Sequence, residues 1–220
     1  MLTIAIDGPA ASGKSTVAKI IAQQLGIIYL DTGAMYRAIT LACIQQEIDL
    51  NNDTFIHQVV KETQIDFTNT ANGQMVLMNM QDVTAQIRSE EVNRFVSKVS
   101  AVPLVRKELV SRQQTIAHQH SVIMDGRDIG TVVLPNADYK FFLIASSRER
   151  AKRRYEENQT KGLTDQTLDE IEKDIIRRDQ YDMNREISPL RKAKDAIEVD
   201  TSNMTINQVV KHLLSFIAKE

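Results

Sequence analysis

Gly8-Pro9-Ala10-Ala11-Ser12-Gly13-Lys14-Ser15-Thr16 is the stretch that decides the fold. Its spacing, G-x-x-x-x-G-K-S, is the phosphate-loop pattern: glycines let the backbone wrap an anion, the lysine reaches the β/γ-phosphates, and the serine hydroxyl suits Mg²⁺. The flanks agree. Leu2 to Ile6 is a short apolar run of the kind that forms a fully buried parallel strand. Beyond the loop, Val17, Ile20, Ile21 and Leu25 recur at helical spacing, so a helix is expected from about Lys14, with Gly26 as its C-cap. A strand, a glycine-rich turn and a helix N-terminus converge peptide N–H groups and the positive end of a helix dipole on one point. Residues Gly8 to Thr16 therefore read as the cradle of a nucleoside triphosphate.

Working outward, Ile27 to Leu30 is a second strand, ending in Asp31-Thr32-Gly33-Ala34-Met35-Tyr36-Arg37. In an open parallel sheet ligands gather beyond the carboxyl ends of the strands. Tyr36 and Arg37 stand there, either to grip a second anionic ligand or simply as a helix start with a solvated arginine. Between Thr63 and Arg88 the pattern changes to alternation around Ile65 and Phe67, with Asn72-Gly73 as a two-residue hairpin signal. Met75 to Met78 and the segment around Val83 complete a three-stranded meander, too small to bury its own core and so expected to lean on helices. A helix from Glu90 carries Val92, Phe95, Val96 and Val99; Pro103 breaks or kinks it, and Leu104 to Arg112 resumes.

Three further strands follow: Ser121 to Asp125, Tyr139 to Ile144 and Ala196 to Val199. An amphipathic helix around Ile206, Val209, Val210, Leu213, Leu214 and Ile217 closes the chain. Asp125, at the end of its strand, is either a carboxylate near Mg²⁺, acting through water, or a loop-bracing cap. Before the last strand, Arg148 to Arg154 holds five basic residues against the single acid Glu149. Arg150, Arg153 and Arg154 fall at i, i+3 and i+4, one helix face with three guanidinium groups. After a polar segment with Gly162 comes a second helix bearing Arg177, Arg178, Asp182 and Arg185. Such runs are usually solvated faces. Beside a triphosphate site, two basic helices across a turn read instead as a mobile lid that brings arginines onto a transferring phosphoryl group.

Composition narrows the class. With 220 residues the chain is long enough for one well-buried core. A net charge of −2 argues against a general nucleic-acid or membrane binder. The single cysteine, Cys43, shares a helix face with Met35 and Ile39 and reads as a small core residue; the histidines show no metal-ligand pattern. No signal peptide or membrane span fits, so the cytoplasm is the expected location and a monomer the expected state.

These residues together resemble the bacterial cytidylate kinases over essentially the whole chain. The likeness rests on Ile6-Asp7-Gly8-Pro9 with the phosphate loop, Asp31 to Arg37, Asp125-Gly126-Arg127-Asp128-Ile129-Gly130-Thr131, and Asp182-Met183-Asn184-Arg185. The phosphate loop is shared by very many ATPases and GTPases; the Tyr-Arg segment joined to Gly-Arg-Asp is far more specific. The resemblance implies a P-loop α/β fold: a parallel five-stranded sheet with helices on both faces, a small antiparallel three-stranded insertion and a helical lid. It implies one kinase domain: a core of 1–34, 111–147 and 186–220, a monophosphate-binding part of 35–110 with inserted strands at about 63–88, and a lid at about 148–185.

It also implies a site. ATP would lie on Gly8, Pro9, Ala10, Ala11, Ser12, Gly13, Lys14, Ser15 and Thr16, with Mg²⁺ on Ser15. Arg37, Arg127 and Arg185 would hold the acceptor's α-phosphate, with Tyr36 and Thr32 beside the nucleotide. Ser97, Arg106 and Asp128 match the positions that read cytosine; Asp182 and Arg178 would lie near the sugar and the transferred phosphate, and Arg153 or Arg154 would belong to the lid. The chemistry is consistent: cytosine offers a donor at N4 and acceptors at N3 and O2, so a carboxylate or hydroxyl with a guanidinium is a suitable reader. The implied acceptors are CMP and dCMP.

Two other classes bear weighing. A small phosphate-loop kinase acting on a hydroxyl acceptor such as shikimate would use Asp31 or Asp128 as a base and need no reader of a nucleobase. A GTP-dependent switch expects N-K-x-D and D-x-x-G, and neither occurs in the chain.

Overall fold

The computed structural model describes residues 1–70, 73–161 and 166–217, the side chains at 69, 70, 73 and 161 aside. In chain order its elements begin with β1 (Thr3–Asp7), α1 (Lys14–Leu25), β2 (Ile28–Asp31), α2 (Thr32–Gln45) and α3 (Asp53–Glu62). The small strands β3 (Ile65–Thr70), β4 (Gly73–Met78) and β5 (Gln81–Asp82) precede α4 (Glu90–Ala101), α5 (Pro103–Gln119) and β6 (Val122–Gly126). The chain continues through β7 (Tyr139–Ile144), α6 (Ser147–Lys161), α7 (Leu168–Asn184), β8 (Ile197–Asp200) and α8 (Ile206–Ile217). These elements form two compact units, Met1–Leu30 with Ile116–Glu220, and Asp31–Thr115.

The first unit carries a five-stranded sheet in the order β2-β6-β1-β7-β8, with β1 parallel to both β6 and β7 and β7 parallel to β8. The order in which strands are added reverses at β1, with β2 and β6 on one side and β7 and β8 on the other, so the crevice of the topological switch opens beyond its carboxyl end, where the phosphate loop follows. Ile4, Ile6, Ile123, Phe141, Leu143 and Val199 pack with Val17, Ile21, Val209 and Leu213 of α1 and α8. The alternate residues Ala5, Val122, Met124 and Phe142 are buried as well. That two-sided burial is why the strands read as continuous apolar runs rather than as alternation.

In the second unit α2 packs on α4, and Ile39, Cys43, Ile56, Val76, Ile87 and Val96 are buried. The expected meander is present, in the order β3-β4-β5, with Ile65 paired to Met78 and Phe67 to Val76. The hairpin signal at Asn72 and the polar turn at Gly162 lie outside the described residues. Arg112 donates to the carbonyls of Val60 and Thr63 at 2.8 Å each, closing the end of α3.

Three local features differ from the sequence expectation. α5 starts on Pro103 itself and runs to Gln119, because proline at the first helical position needs no hydrogen bond from its nitrogen. β1, β2, β6 and β8 each lie one residue further along, taking in Asp7, Asp31, Gly126 and Asp200. After β6 a single wide turn, Ile129–Val133, carries i→i+5 bonds from Val133 to Asp128 and from Leu134 to Ile129. Apolar periodicity gives no sign of such a turn.

Candidate active site

The phosphate-loop geometry begins with its glycines. Gly8 has φ 146°, and a Cβ there would strike the backbone carbonyl of Leu143 in β7. Gly13, at φ 89°, caps the start of α1, so the helix opens at Lys14 as its pattern predicts. The Lys14 ammonium is buried and donates to Pro9 O at 2.7 Å and Ser12 Oγ at 3.3 Å. Burial, reinforced by the nearby Arg127 guanidinium, pushes its pKa down to about 7. At the mouth of α1, Ser15 Oγ donates to Asp125 Oδ2 at 2.7 Å, and Tyr29 OH donates to Asp125 Oδ1 at 2.8 Å. A hydroxyl and a carboxylate converging at a helix N-terminus form a hard-oxygen donor pair suited to Mg²⁺.

The same unit places Asp125-Gly126-Arg127-Asp128 at the carboxyl end of β6, beside β1. Arg127 Nε donates to Asp182 Oδ2 at 2.9 Å. Burial opposes the charge on both, but each is the other's principal counter-ion: Arg127 is held above its ordinary pKa, and Asp182, with Arg178 and Arg185 also near, below its own. Arg185 Nη2 lies 3.7 Å from Asp128 Oδ1, both well buried. Sequence order separates these groups; β6 and the end of α7 bring Arg127, Asp128, Asp182 and Arg185 together.

Asp7 was not among the expected site residues. As the last residue of β1 it accepts the peptide N–H groups of Ile129 (2.8 Å) and Gly130 (2.7 Å), bracing the loop that carries Arg127 and Asp128. Burial pushes its carboxyl up to about 7 despite those two donors. Its sequence signals were an acid directly after an apolar run and its place in Ile6-Asp7-Gly8-Pro9, neither of which assigned it a role.

The basic face of α6 divides. Arg150 turns inward to Asp179 and to the loop carbonyl of Ala10. Arg153 donates to Thr201 Oγ1 at 3.1 Å and to Thr201 O at 2.6 Å, and Thr201 Oγ1 lies 3.4 Å from Ser12 O. Arg154 faces Glu157 at 3.8 Å. The three guanidinium groups expected on one face thus serve three different partners. α6 and α7 meet along an apolar seam of Ala151, Ile171 and Ile175, flanked by Arg148 with Asp169 and Glu172. Arg178 is half-buried.

In the second unit Asp31 caps α2 through Ala34 N–H (2.8 Å) and receives Arg37 Nη2 at 3.0 Å, with Arg88 Nη2 at 3.7 Å. Arg37 Nε is buried without a hydrogen-bond partner among the described residues, a donor still available to an anion. Thr32 is buried at the start of α2. The Arg106 guanidinium is buried 5.3 Å from the centre of the Tyr36 ring and donates to Ser100 O at 3.2 Å, while Ser100 Oγ donates to Ser97 O at 2.9 Å. Ser97, Arg106 and Tyr36 therefore belong to one neighbourhood, a planar cation stacked on a ring beside hydroxyl groups.

Comparison with known proteins bears on both units. A cytidylate kinase from Oceanobacillus iheyensis is 53% identical over 218 residues, 99% of this chain and 94% of that protein. One from Bacillus cereus is 49% identical over 217 residues, 99% of this chain and 96% of that protein. A crystal structure of an uncharacterised protein from Eubacterium ventriosum shares the fold across the full length of both chains at a TM-score of 0.54 and 11% identity. The family model described as cytidylate kinase matches residues 4–219, from β1 to past the end of α8. At that identity and with that coverage, the chain belongs to the cytidylate kinase family.

Proposed function

We propose that the chain transfers the γ-phosphoryl group of ATP to CMP and dCMP, giving ADP and CDP or dCDP. The observation that carries this is the half-buried Arg127, held ionised by the buried Asp182 in the same unit as Lys14, in a chain whose family match spans 4–219. ATP would bind on Gly8 to Thr16, its phosphates on the N-terminus of α1 and on Lys14. Ser15 and Asp125, the latter through water, fit Mg²⁺, which when bound would neutralise the charge of the β- and γ-phosphates.

The acceptor's nucleophile is an oxygen of its own α-phosphate, whose second pKa of about 6 leaves it largely dianionic at neutral pH. No general base is needed. That oxygen forms the new bond to the γ-phosphorus as the bond to the β–γ bridging oxygen breaks, and the electron pair leaves with ADP. Two anions must be brought together, so the protein's work is positioning and charge compensation. Arg127 and Arg185 would hold the acceptor phosphate, as would Arg37 through its spare Nε. Ser97, Arg106 and Asp128 would read cytosine, with Tyr36 and Thr32 beside the nucleotide and Asp182 near its sugar. α6 and α7 would act as the lid, with Arg153, Arg154 and Arg178 serving the transferring group. A cytoplasmic monomer acting on free nucleotides goes with the net charge of −2.

The test is ADP production from Mg·ATP with CMP, dCMP, UMP, AMP and shikimate as separate acceptors. Fast turnover with CMP and dCMP alone supports both the transfer and the cytosine reader. Equal rates with UMP would remove Ser97, Arg106 and Asp128 as discriminators, since O4 of uracil cannot donate where N4 of cytosine does. Turnover with shikimate alone would overturn the acceptor.

A further inference from the structure

The Arg150–Asp179 ion pair takes no part in the chemistry above, yet its side chains are only 7% and 8% exposed. Replacing such a buried pair with packed apolar residues often leaves a fold as stable or more so, so stability alone does not account for it. Its surroundings point to a role. Arg150 stands in the first turn of α6, and Asp179 lies near the end of α7. Arg150 Nε donates to Ala145 O at 2.9 Å; Nη1 donates to Asp179 Oδ2 at 2.5 Å and to Ala10 O at 3.0 Å. The other oxygen of Asp179 accepts the Ala10 N–H at 3.3 Å. The pair thus grips both peptide groups of one residue inside the phosphate loop. The next residue, Ala11, has φ 57°, the left-handed region that a non-glycine residue occupies only when its surroundings over-determine it. Ala11 also packs on the apolar seam between α6 and α7.

We infer that Arg150 and Asp179 are a positioning pair, holding the two peptides that flank Ala10 in the shape that receives the triphosphate and so tying ATP affinity to the seating of α6 and α7. This rests on the reading of Gly8 to Thr16 as the ATP site. Neither side chain acts on the reacting atoms. Asp182, three residues beyond Asp179 on α7, holds Arg127 in the same way, so one helix supports the triphosphate loop and the arginine proposed for the acceptor phosphate.

The test compares Asp179→Asn with the double variant Arg150→Met/Asp179→Leu, varying ATP and CMP separately. In Asp179→Asn, KM for ATP is expected to rise about tenfold or more, with KM for CMP within about twofold. The double variant is expected to melt close to wild type, as apolar replacements of buried pairs do, while KM for ATP stays about tenfold raised. A double variant that regained both stability and wild-type KM for ATP would overturn the inference. Should the double variant not fold, Asp179→Asn decides alone: the amide keeps the side-chain shape, and an unchanged KM for ATP overturns it. Amide exchange at Ala10, about tenfold faster or more in Asp179→Asn without nucleotide, reports on the loop independently of ATP. A Lys14→Met variant that bound ATP like wild type would instead remove the loop as the ATP site, and with it the ligand of this inference.

Discussion

Asp182 and Arg127 show how single residues store charge in this chain. Each would be costly to bury alone, and at 2.9 Å each keeps the other ionised. Removing the arginine should therefore cost the acceptor's binding and transition-state stabilisation rather than ATP affinity. Arg127→Ala is expected to lower kcat/KM for CMP about 10²–10³-fold, as loss of a preorganised cationic or oxyanion contact does, with ATP binding nearly intact. Near-wild-type turnover would sink its assignment to the acceptor phosphate.

Lys14 makes a different prediction at the same scale. Its pKa falls from 10.5 unfolded to about 7 folded, so between those values the unfolded chain binds more protons and stability rises with pH. Asp7 works oppositely: raised from 3.8 to about 7, it contributes stability that is lost as pH climbs through that window. Triphosphate binding should restore the charge on Lys14. Calorimetric titration at about pH 8, in buffers of different ionisation enthalpy, should show uptake approaching about one proton per ATP, absent in Lys14→Met.

Among the elements, the phosphate loop depends on its neighbours as much as on its own glycines. Gly8 leaves β1 at φ 146° directly against the carbonyl of Leu143, so β7 sets how closely the loop can turn. Gly8→Ala adds an overpacking penalty of about 1–3 kcal/mol and a further ~1–2 kcal/mol for a left-handed non-glycine residue. A lower urea midpoint together with lost ATP binding is the expected result; an unchanged midpoint would show that β7 yields freely. Elsewhere the elements were legible from their own patterns: α1 begins at Lys14 and ends at Gly26, whose φ of 65° is the expected cap. The turn Ile129–Val133 was not, because it is shaped by Asp7 of β1 accepting its peptide donors from over a hundred residues away.

At the scale of the whole molecule, several arginines among the described residues are matched by carboxylates of their own unit, which fits a chain of net charge −2. Arg127, Arg185 and Arg150 face Asp182, Asp128 and Asp179 in one unit, and Arg37 and Arg88 face Asp31 in the other. If the loop binds ATP in the folded state alone, a non-transferable ATP analogue at about 100 times its Kd adds ~2.7 kcal/mol. For a chain of this length that raises the melting midpoint by roughly 5–11 °C. Differential scanning fluorimetry checks it, and a shift that survived in Lys14→Met would place the ligand elsewhere.

From sequence alone came whatever depends on local spacing: the strand–loop–helix unit, the apolar strands of a sheet covered on both faces, the inserted meander and a core cysteine. Burial confirms the last, with the Cys43 thiol pushed up to about 11. Pairing is non-local and was decided only by the tertiary structure. With 27 basic and 29 acidic side chains, nothing in the order of residues says that Arg127 meets Asp182 or that Asp179 meets Ala10, 169 positions away. Sequence patterns report which face of an element is dry; only the packed fold determines which charges share a buried space, because a buried charge is stable only beside the partner the chain's path brings to it.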